Sequence, residues 1–380
     1  MKRVLIVQRM LPHYRVPFFE QLRERLASEE IALELVVGQP TKGGAAKRDE
    51  ARLSWATTVN NRYLRSGPGR HLVWQPVWRR AQEADLVVVE QASRLIVNYL
   101  LLAKRRFGGP KVAFWGHGVN LDRKSASRMG EAVKRKMAPL ADWWFCYTDG
   151  TARRLEAVGV RSDRMTVVQN AIDVQELRKM AVEVSDGDKK SLRASLGIGE
   201  GVVALSLGSI YPGKRPDYLV EVGDQIRNAI PDFHLVVIGD GPNRSTIDVA
   251  AITRPWLHPV GMLSGEPMVA HASLASLLLN PGVVGLAVVD GFALGLPTVT
   301  CDLELHGPEI EYLVDGVNGV ILERNTSPAE FAASVARLLS DADLLARLQS
   351  GCHQSAAELS IEAMVDHFAS GLHDALSADR

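Results

Sequence analysis

The chain has 380 residues, 46% hydrophobic and 23% charged, with 44 basic residues balancing 44 acidic ones. That suits two globular domains of ordinary size, each burying its own core. No apolar run reaches the ~18 to 20 residues of a membrane span. Three widely spaced cysteines, Cys146, Cys301 and Cys352, argue against a disulfide framework or a zinc site and point to a reducing cytoplasm. The zero net charge hides an asymmetry: residues 1–170 hold 30 Lys and Arg against 16 Asp and Glu, the remainder 14 against 28. The basic half is expected to face a polyanion, either an anionic membrane or nucleic acid, unless it is only a solvated surface.

Residues 3–8 read as a buried strand; charges on both sides of so short an apolar run argue against a signal peptide. The chain then enters a helix with Phe18, Leu22 and Leu26 on one face and Pro17 at its start. In the connecting loop, His13, Tyr14 and Arg15 are candidates for an acceptor or diphosphate site, Arg15 through its guanidinium. The alternative is a surface loop that packs Tyr14 on the helix. Residues 31–37 form a second strand. Residues 38–70 are polar and Gly-rich, with Lys42, Lys47, Arg48, Arg52, Arg62, Arg65 and Arg70, and are expected to be a mobile excursion. Trp55, Trp74 and Trp78 beside these charges suit a bilayer interface, stacking on sugar rings, or plain packing.

Residues 85–90 form a strand, followed by a helix ending in Lys104-Arg105-Arg106, as the dipole favours. Residues 112–118 form a strand that runs into a Gly-flanked loop. His117 thus sits at the C-terminal end of a parallel strand, where ligands bind in open α/β sheets. A basic helix at 123–136, a strand at 143–147, a helix opened by Asp149-Gly150-Thr151 and a strand at 165–168 complete the first half. Asn170-Ala171-Ile172-Asp173 fits an Asx turn or a helix cap, and residues 184–200 a linker-like excursion. The second half opens with a strand at 202–207, then Gly208-Ser209-Ile210-Tyr211-Pro212-Gly213-Lys214-Arg215. A strand at 235–238 leads into Gly239-Asp240-Gly241-Pro242, a weak signal alone. Val260-Gly261 ends another short strand.

Residues 274–279 read as a buried parallel strand and 298–301 as the next. Between them Asn280-Pro281-Gly282-Val283-Val284-Gly285-Leu286 feeds a helix starting near Leu286. The N–H groups of Val284 to Leu286 and the positive helix end would hold phosphate oxygens. Asp290, one turn deeper on the same face, would accept hydrogen bonds from a ribose diol. Glu309 and Glu311 fit helix-surface or capping positions, and a last helix spans about 355–376. Alternation of strands and helices predicts two parallel-sheet domains.

The frame Gly285, Leu286, Ala293, Gly295, Pro297 resembles the donor-binding segment of the family 4 retaining glycosyltransferases, which have the GT-B fold. Their pattern is Glu, seven residues, Glu. Gly282 stands at the first Glu, which contacts sugar hydroxyls in the family, and Asp290 at the second, which contacts the ribose. Gly208 to Lys214 resembles the family's Gly-Arg-Leu followed by Lys, two cations that hold the donor diphosphate. Lys214 matches, Ser209 takes the Arg position, and Arg215 would supply the missing charge. Gly241 is similar to the family's Gly-x-Gly-Pro turn, Gly261 to a segment near the base, and Asn170 to Asp173 to the domain crossover. Pro12-His13-Tyr14-Arg15-Val16-Pro17-Phe18-Phe19 and Trp115-Gly116-His117-Gly118 resemble a subgroup of bacterial polysaccharide-assembly transferases.

The resemblance implies an α/β GT-B architecture of two Rossmann-like domains facing a cleft. Residues 1–172 would form the acceptor side and 173–354 the nucleotide-sugar side, with 355–380 returning to the first domain. It implies retaining transfer from a nucleoside-diphosphate sugar, uridine favoured, to a saccharide acceptor, free or lipid-linked, in cell-surface polysaccharide or glycoconjugate synthesis. His117 would position the sugar and Lys214 would stabilise the leaving group. The donor set is Gly208, Ser209, Lys214, Arg215, Gly241, Gly261, Gly282, Val284, Gly285, Leu286 and Asp290. No Asp-x-Asp metal motif is read, so the cations would replace a metal, and the nucleotide sugar is substrate with no cofactor beside it. With no protein nucleophile in view, the acceptor hydroxyl would attack on the leaving-group face. The expected location is cytoplasmic, peripheral on the inner membrane face, without nucleic acid. Two alternatives stay open: a sugar-nucleotide epimerase on the same fold, and a degenerate relative that binds polyanions through its basic half.

Overall fold

The computed structural model describes residues 1–39, 51–67, 70–118 and 128–379. The chain divides into two compact units, residues 1–170 with 361–380, and residues 171–360. Lys42, Lys47, Arg48, Arg123 and Lys124 lie outside the described residues.

Among the described residues, nine strands belong to the first unit: β1 (Lys2–Gln8), β2 (Ile31–Gln39), β3 (Thr57–Asn60), β4 (Arg62–Gly67), β5 (Arg70–Trp74), β6 (Leu86–Glu90), β7 (Lys111–Gly116), β8 (Trp143–Cys146) and β9 (Met165–Val167). Seven make one parallel sheet in the order β3-β2-β1-β6-β7-β8-β9, and β4 and β5 pair as an antiparallel hairpin. The central strands are apolar throughout: Val4, Leu5, Ile6, Val7, Leu86, Val87, Val88 and Val89 are all buried. Sheets covered on both faces require such unbroken runs. Order reverses between β1 and β6, so Gln8-Arg9 and Glu90-Gln91 leave the sheet side by side at its carboxyl edge, the usual ligand crevice.

The second unit holds β10 (Val203–Leu207), β11 (His234–Ile238), β12 (Leu257–Gly261), β13 (Leu277–Leu279), β14 (Thr298–Cys301) and β15 (Gly319–Leu322). They form a parallel sheet in the order β12-β11-β10-β13-β14-β15. Its switch point lies between β10 and β13, which brings the segments after Leu207 and after Leu279 together. Both units are therefore Rossmann-like α/β layers.

The last helix, Ile361–Ser377, belongs to the first unit. Phe368 stacks on Phe145 at 4.1 Å and packs edge-on against Phe18 and Trp115. Gly371 lets the helix sit close, because a Cβ there would lie 2.4 Å from Thr166 Oγ1. Lys111 Nζ donates to the carbonyls of Ala375, Leu376 and Ala378, taking up the orphan acceptors of the helix end.

Three expectations need revision, and one open choice, for Trp55, narrows to packing. The excursion expected at 38–70 contains β3, parallel to β2, and most of the β4–β5 hairpin. Trp55 is packed rather than presented: its Nε1 donates to Glu20 at 2.9 Å and Arg23 lies over its ring. The expected linker at 184–200 is the helix Asp186–Leu196, closed by a Ser185–Asp188 capping box and a left-handed Gly197. The final helix starts at Ile361, because residues 342–358 form a separate helix within the second unit.

Candidate functional site

The second unit's switch point is built from two facing loops. Residues 208–215 are braced from β11: Ile210 N donates to the Asp240 carbonyl at 2.9 Å, and Gly208 N to Ile238 at 3.0 Å. Gly241 is required for that approach, since a Cβ there would lie 2.3 Å from the Ile210 carbonyl. Gly261 accepts from Gly239 N at 2.8 Å. Gly241 and Gly261 thus prop the loop from behind. Ser209 is exposed.

Lys214 ends a short turn, Pro212–Lys214. Its ammonium lies 3.5 Å from Asn280 Oδ1. Burial pulls its pKa down to about 8, with the Glu309 carboxylate acting in the opposite direction. Asn280 is buried, and its Nδ2 has no hydrogen-bond partner among the described residues. An ammonium and an unmet amide donor therefore lie together at the carboxyl edge of the sheet. Arg215 is turned to other groups: its guanidinium sits 3.8 Å above the Tyr218 ring and reaches the Pro281 carbonyl.

The 280s loop meets Lys214 backbone to backbone. Val283 N donates to Gly213 O at 2.8 Å. A Cβ at Gly282 would lie 2.4 Å from both Lys214 Cα and its carbonyl carbon. The space where a side chain at 282 would begin is filled by main chain. Of the N–H groups expected to bind phosphate, Val284 is already committed, donating to His306 Nδ1 at 2.9 Å. Those of Gly285, Leu286 and Ala287 make no hydrogen bond among the described residues. The helix they open, Ala287–Ala293, has only seven residues. Its dipole is small, so the amides themselves are the stronger feature. Asp290 is half-buried on that helix.

Glu309, expected at a surface, is buried and acts on Lys214; Glu311 is exposed. The Asp-x-Asp spacing does occur, at Asp186-Gly187-Asp188 and Asp341-Ala342-Asp343. Both pairs sit at helix starts, where Asp188 closes a capping box and Asp341 is an N-cap.

The first unit gathers a second set at its own carboxyl edge. Arg15 is 4% exposed, donates to Asn170 Oδ1 at 2.5 Å and to Met364 S at 3.2 Å, and lies 4.7 Å from the Trp115 ring and 5.6 Å from the Tyr147 ring. No carboxylate pairs with it among the described residues. His117 keeps a solvent-open face and packs on Tyr147 at 4.7 Å. Desolvation by the loops around the ring, then the cations of Lys134, Arg15 and Arg154, lower its pKa; the open face lets water moderate that effect, and the ring is neutral at pH 7. Glu90, beside the switch point, is pushed up by burial against Arg9, Arg94 and Arg15. Tyr14 meets Arg15 through its ring, while His13 is exposed at the edge.

Two family models cover most of the chain. Residues 17–176 match "Glycosyltransferase Family 4" and residues 188–352 match "Glycosyl transferases group 1". The chain belongs to glycosyltransferase family 4. Among curated relatives of this family 4 chain, the alpha-D-kanosaminyltransferase of Streptomyces kanamyceticus is 27% identical over 49% of this chain and 50% of its own length. The D-inositol 3-phosphate glycosyltransferase of Geodermatophilus obscurus is 27% identical over 60% and 51%. The chain spans about half the length of these relatives. Among solved structures, HepE of Anabaena in complex with UDP-glucose is similar at TM-score 0.71 and 16% identity, covering 98% of this chain and 100% of that one. Sucrose-phosphate synthase from Thermosynechococcus elongatus is similar at TM-score 0.70 and 13% identity, covering 98% of each. Both have the GT-B fold seen here.

In this family 4 chain, His306, Asn280, Glu309, Asn170 and Tyr147 were not assigned from sequence as site residues. Asn280 had a signal, as the first polar residue after a buried strand at a switch point. Nothing local marked the bond that His306 makes, because its partner, the Val284 amide, is 22 residues away.

Proposed function

We propose that the chain is a retaining glycosyltransferase using a nucleoside-diphosphate sugar, with a uridine nucleotide as the first donor to try. One observation carries this reading. Lys214 and the unmet Asn280 amide lie together at the β10/β13 switch point, and the loop leaving it carries the open N–H groups of Gly285 to Ala287, a set suited to a diphosphate. The UDP-glucose complex of HepE supports the choice of nucleotide. In the step proposed, the bond from the anomeric carbon to the diphosphate oxygen breaks as the acceptor oxygen bonds to that carbon on the same face. The acceptor's proton passes to the departing phosphate. Lys214 and the amides meet the negative charge that develops, and Asp290 accepts from the ribose diol. Neutral His117 can both accept from and donate to a sugar hydroxyl.

A thermal-shift panel of UDP-, GDP- and dTDP-sugars tests the donor. A shift with UDP-sugars is expected, and Asp290→Ala should weaken UDP binding by about tenfold in calorimetry, as loss of a charged hydrogen bond does. No shift with any nucleotide sugar, or unchanged affinity in the variant, overturns the assignment. Transfer or donor hydrolysis separates this reading from a polyanion-binding relative without activity.

On the acceptor side, buried Arg15 makes no ion pair among the described residues, since burial favours the neutral form of Glu90, the carboxyl its charge reaches, and His117 is faced by three cations. A buried cation of this kind is complemented by an anion from a ligand. We therefore assign an acceptor that carries a phosphate or diphosphate, as a lipid-linked saccharide does. A peripheral membrane position goes with it. No helix of the described residues is long and apolar enough to cross a membrane. Phe107 is 79% exposed beside Lys104 and Arg106, and Leu64 and Leu72 stand opposite one another on the hairpin beside Arg62 and Arg65. Apolar side chains among cations are suited to an anionic interface. Phe107→Glu with Leu64→Glu is expected to lower co-sedimentation with phosphatidylglycerol vesicles by roughly fivefold or more. Equal sedimentation of variant and wild type, or no sedimentation of either, overturns the membrane assignment.

A further inference from the structure

We infer that His306 is a positioning residue for the donor loop, holding the Val284 amide through its neutral imidazole so that the next three amides stay open. The inference rests on the donor site proposed above. His306 is 5% exposed, and both ring nitrogens are used. Nδ1 receives the Val284 N–H at 2.9 Å, so it carries no proton. The ring proton is therefore on Nε2, 2.8 Å from the Cys301 carbonyl, to which it donates. The Leu303 N–H also points at Nε2, at 3.1 Å, and could donate to it only in the other tautomer; the shorter Val284 and Cys301 contacts are what place the proton on Nε2. The bond is answered in the other direction: Gly307 N donates to Val284 O at 3.0 Å. Two bonds thus stitch residue 284 to the segment after β14. Val283 N, bound to Gly213 O, ties the residue before it to the Lys214 loop. A loop pinned at 283 and 284 has its direction set for 285–287, whose amides make no bond of their own among the described residues.

The arrangement works only with an unprotonated Nδ1. An imidazolium would present N–H to the Val284 N–H, and the bond would be lost. The charged groups around the ring are Lys214 from the facing loop and Asp302 from the end of β14, with the Glu309 carboxylate packed against Gly307, the next residue. Burial and then Lys214 disfavour the imidazolium, while the Cys301 carbonyl and Asp302 favour it; burial is the largest effect and holds the pKa below 6.5. The ring is thus neutral at pH 7. Protonation at lower pH would release residue 284 and with it the order of the amides beyond.

The test compares His306→Gln with His306→Phe. Gln keeps one acceptor and one donor and does not titrate in this range; Phe fills the space with neither. Amide exchange of residues 283–287 is measured in the unliganded protein, and UDP affinity by calorimetry from pH 5 to 8. His306→Phe is expected to speed exchange and to weaken UDP binding, each by roughly tenfold or more, with the loss in donor KM rather than kcat. His306→Gln is expected to stay within about threefold of wild type at pH 7 and to lack the weakening that wild type shows as pH falls through the lowered pKa of His306. Wild-type exchange and affinity in His306→Phe overturns the inference, as does an acid loss in His306→Gln equal to that of wild type. Should His306→Phe fail to fold, the pH series of wild type and His306→Gln decides alone. If wild type does not bind UDP while the exchange difference holds, His306 positions the loop and the donor assignment is what fails.

Discussion

Lys214→Met is expected to lower turnover roughly tenfold or more while leaving the protein at least as resistant to heat as wild type at pH 7. The first half of that outcome follows from chemistry. A departing diphosphate gathers negative charge, and the loss of one preorganised charge-stabilising group costs on the order of ten- to a thousandfold. The second half follows from burial. The folded state draws the Lys214 pKa down from 10.5 to about 8, so folding disfavours its charged form. The unfolded chain then binds more protons between pH 8 and 10.5, and the lysine's contribution to stability rises with pH across that window. Activity moves the other way: kcat/KM should fall as pH rises through about 8 and the free enzyme loses the ammonium. In the Met variant both pH effects disappear together. Steady-state kinetics and thermal melts from pH 7 to 10 check this. A Met variant with wild-type kcat/KM, or one that melts several degrees lower, would show that Lys214 is a structural residue and not the group that meets the leaving phosphate.

The strands read from sequence were legible because they are short apolar runs between polar or glycine-bearing segments. The predicted 298–301 strand matches β14 residue for residue, and a buried run such as Leu86 to Val89 allows no other reading. Part of what sequence missed depended on a partner further along the chain. Residues 57–60 alternate in burial but are polar and only four long, so they become a strand only against the edge of β2. The helix at 186–196 is a different case: its capping box and terminal glycine are local signals, outweighed in the reading by its polar surface. The site divides in the same way. Lys214 and Gly285 could be read from motif spacing. That the Val284 amide is occupied, that Arg215 turns to Tyr218, and that Glu309 lies beside Lys214 depend on how three loops close on one another. No periodicity in a single segment encodes that.

Gly282 gives the sharpest consequence. By resemblance to the family, a glutamate belongs at this position, and restoring it would be expected to improve sugar recognition. The backbone forbids it. A Cβ would fall 2.4 Å from Lys214 Cα and 2.5 Å from the Gly213 carbonyl oxygen, contacts that no rotamer relieves because they involve main chain on both sides. The change would push the Lys214 turn away, break the Val283 to Gly213 bond at 2.8 Å, and move the ammonium off Asn280. Gly282→Glu is therefore expected to lose at least as much activity as Lys214→Met, and unlike that variant to melt lower. Gly282→Ala separates sterics from charge, since it adds the offending carbon alone. It should cost activity by about tenfold and stability by roughly 1–3 kcal/mol, the usual range for overpacking. Kinetics and melts on the pair decide the matter. If Gly282→Ala behaves as wild type while Gly282→Glu gains activity, the two loops stand further apart than this structure places them, and the acid is missing by substitution alone. If both lose activity and stability together, the close approach of the Lys214 backbone is what excludes a side chain, and sugar hydroxyls must be met by other groups.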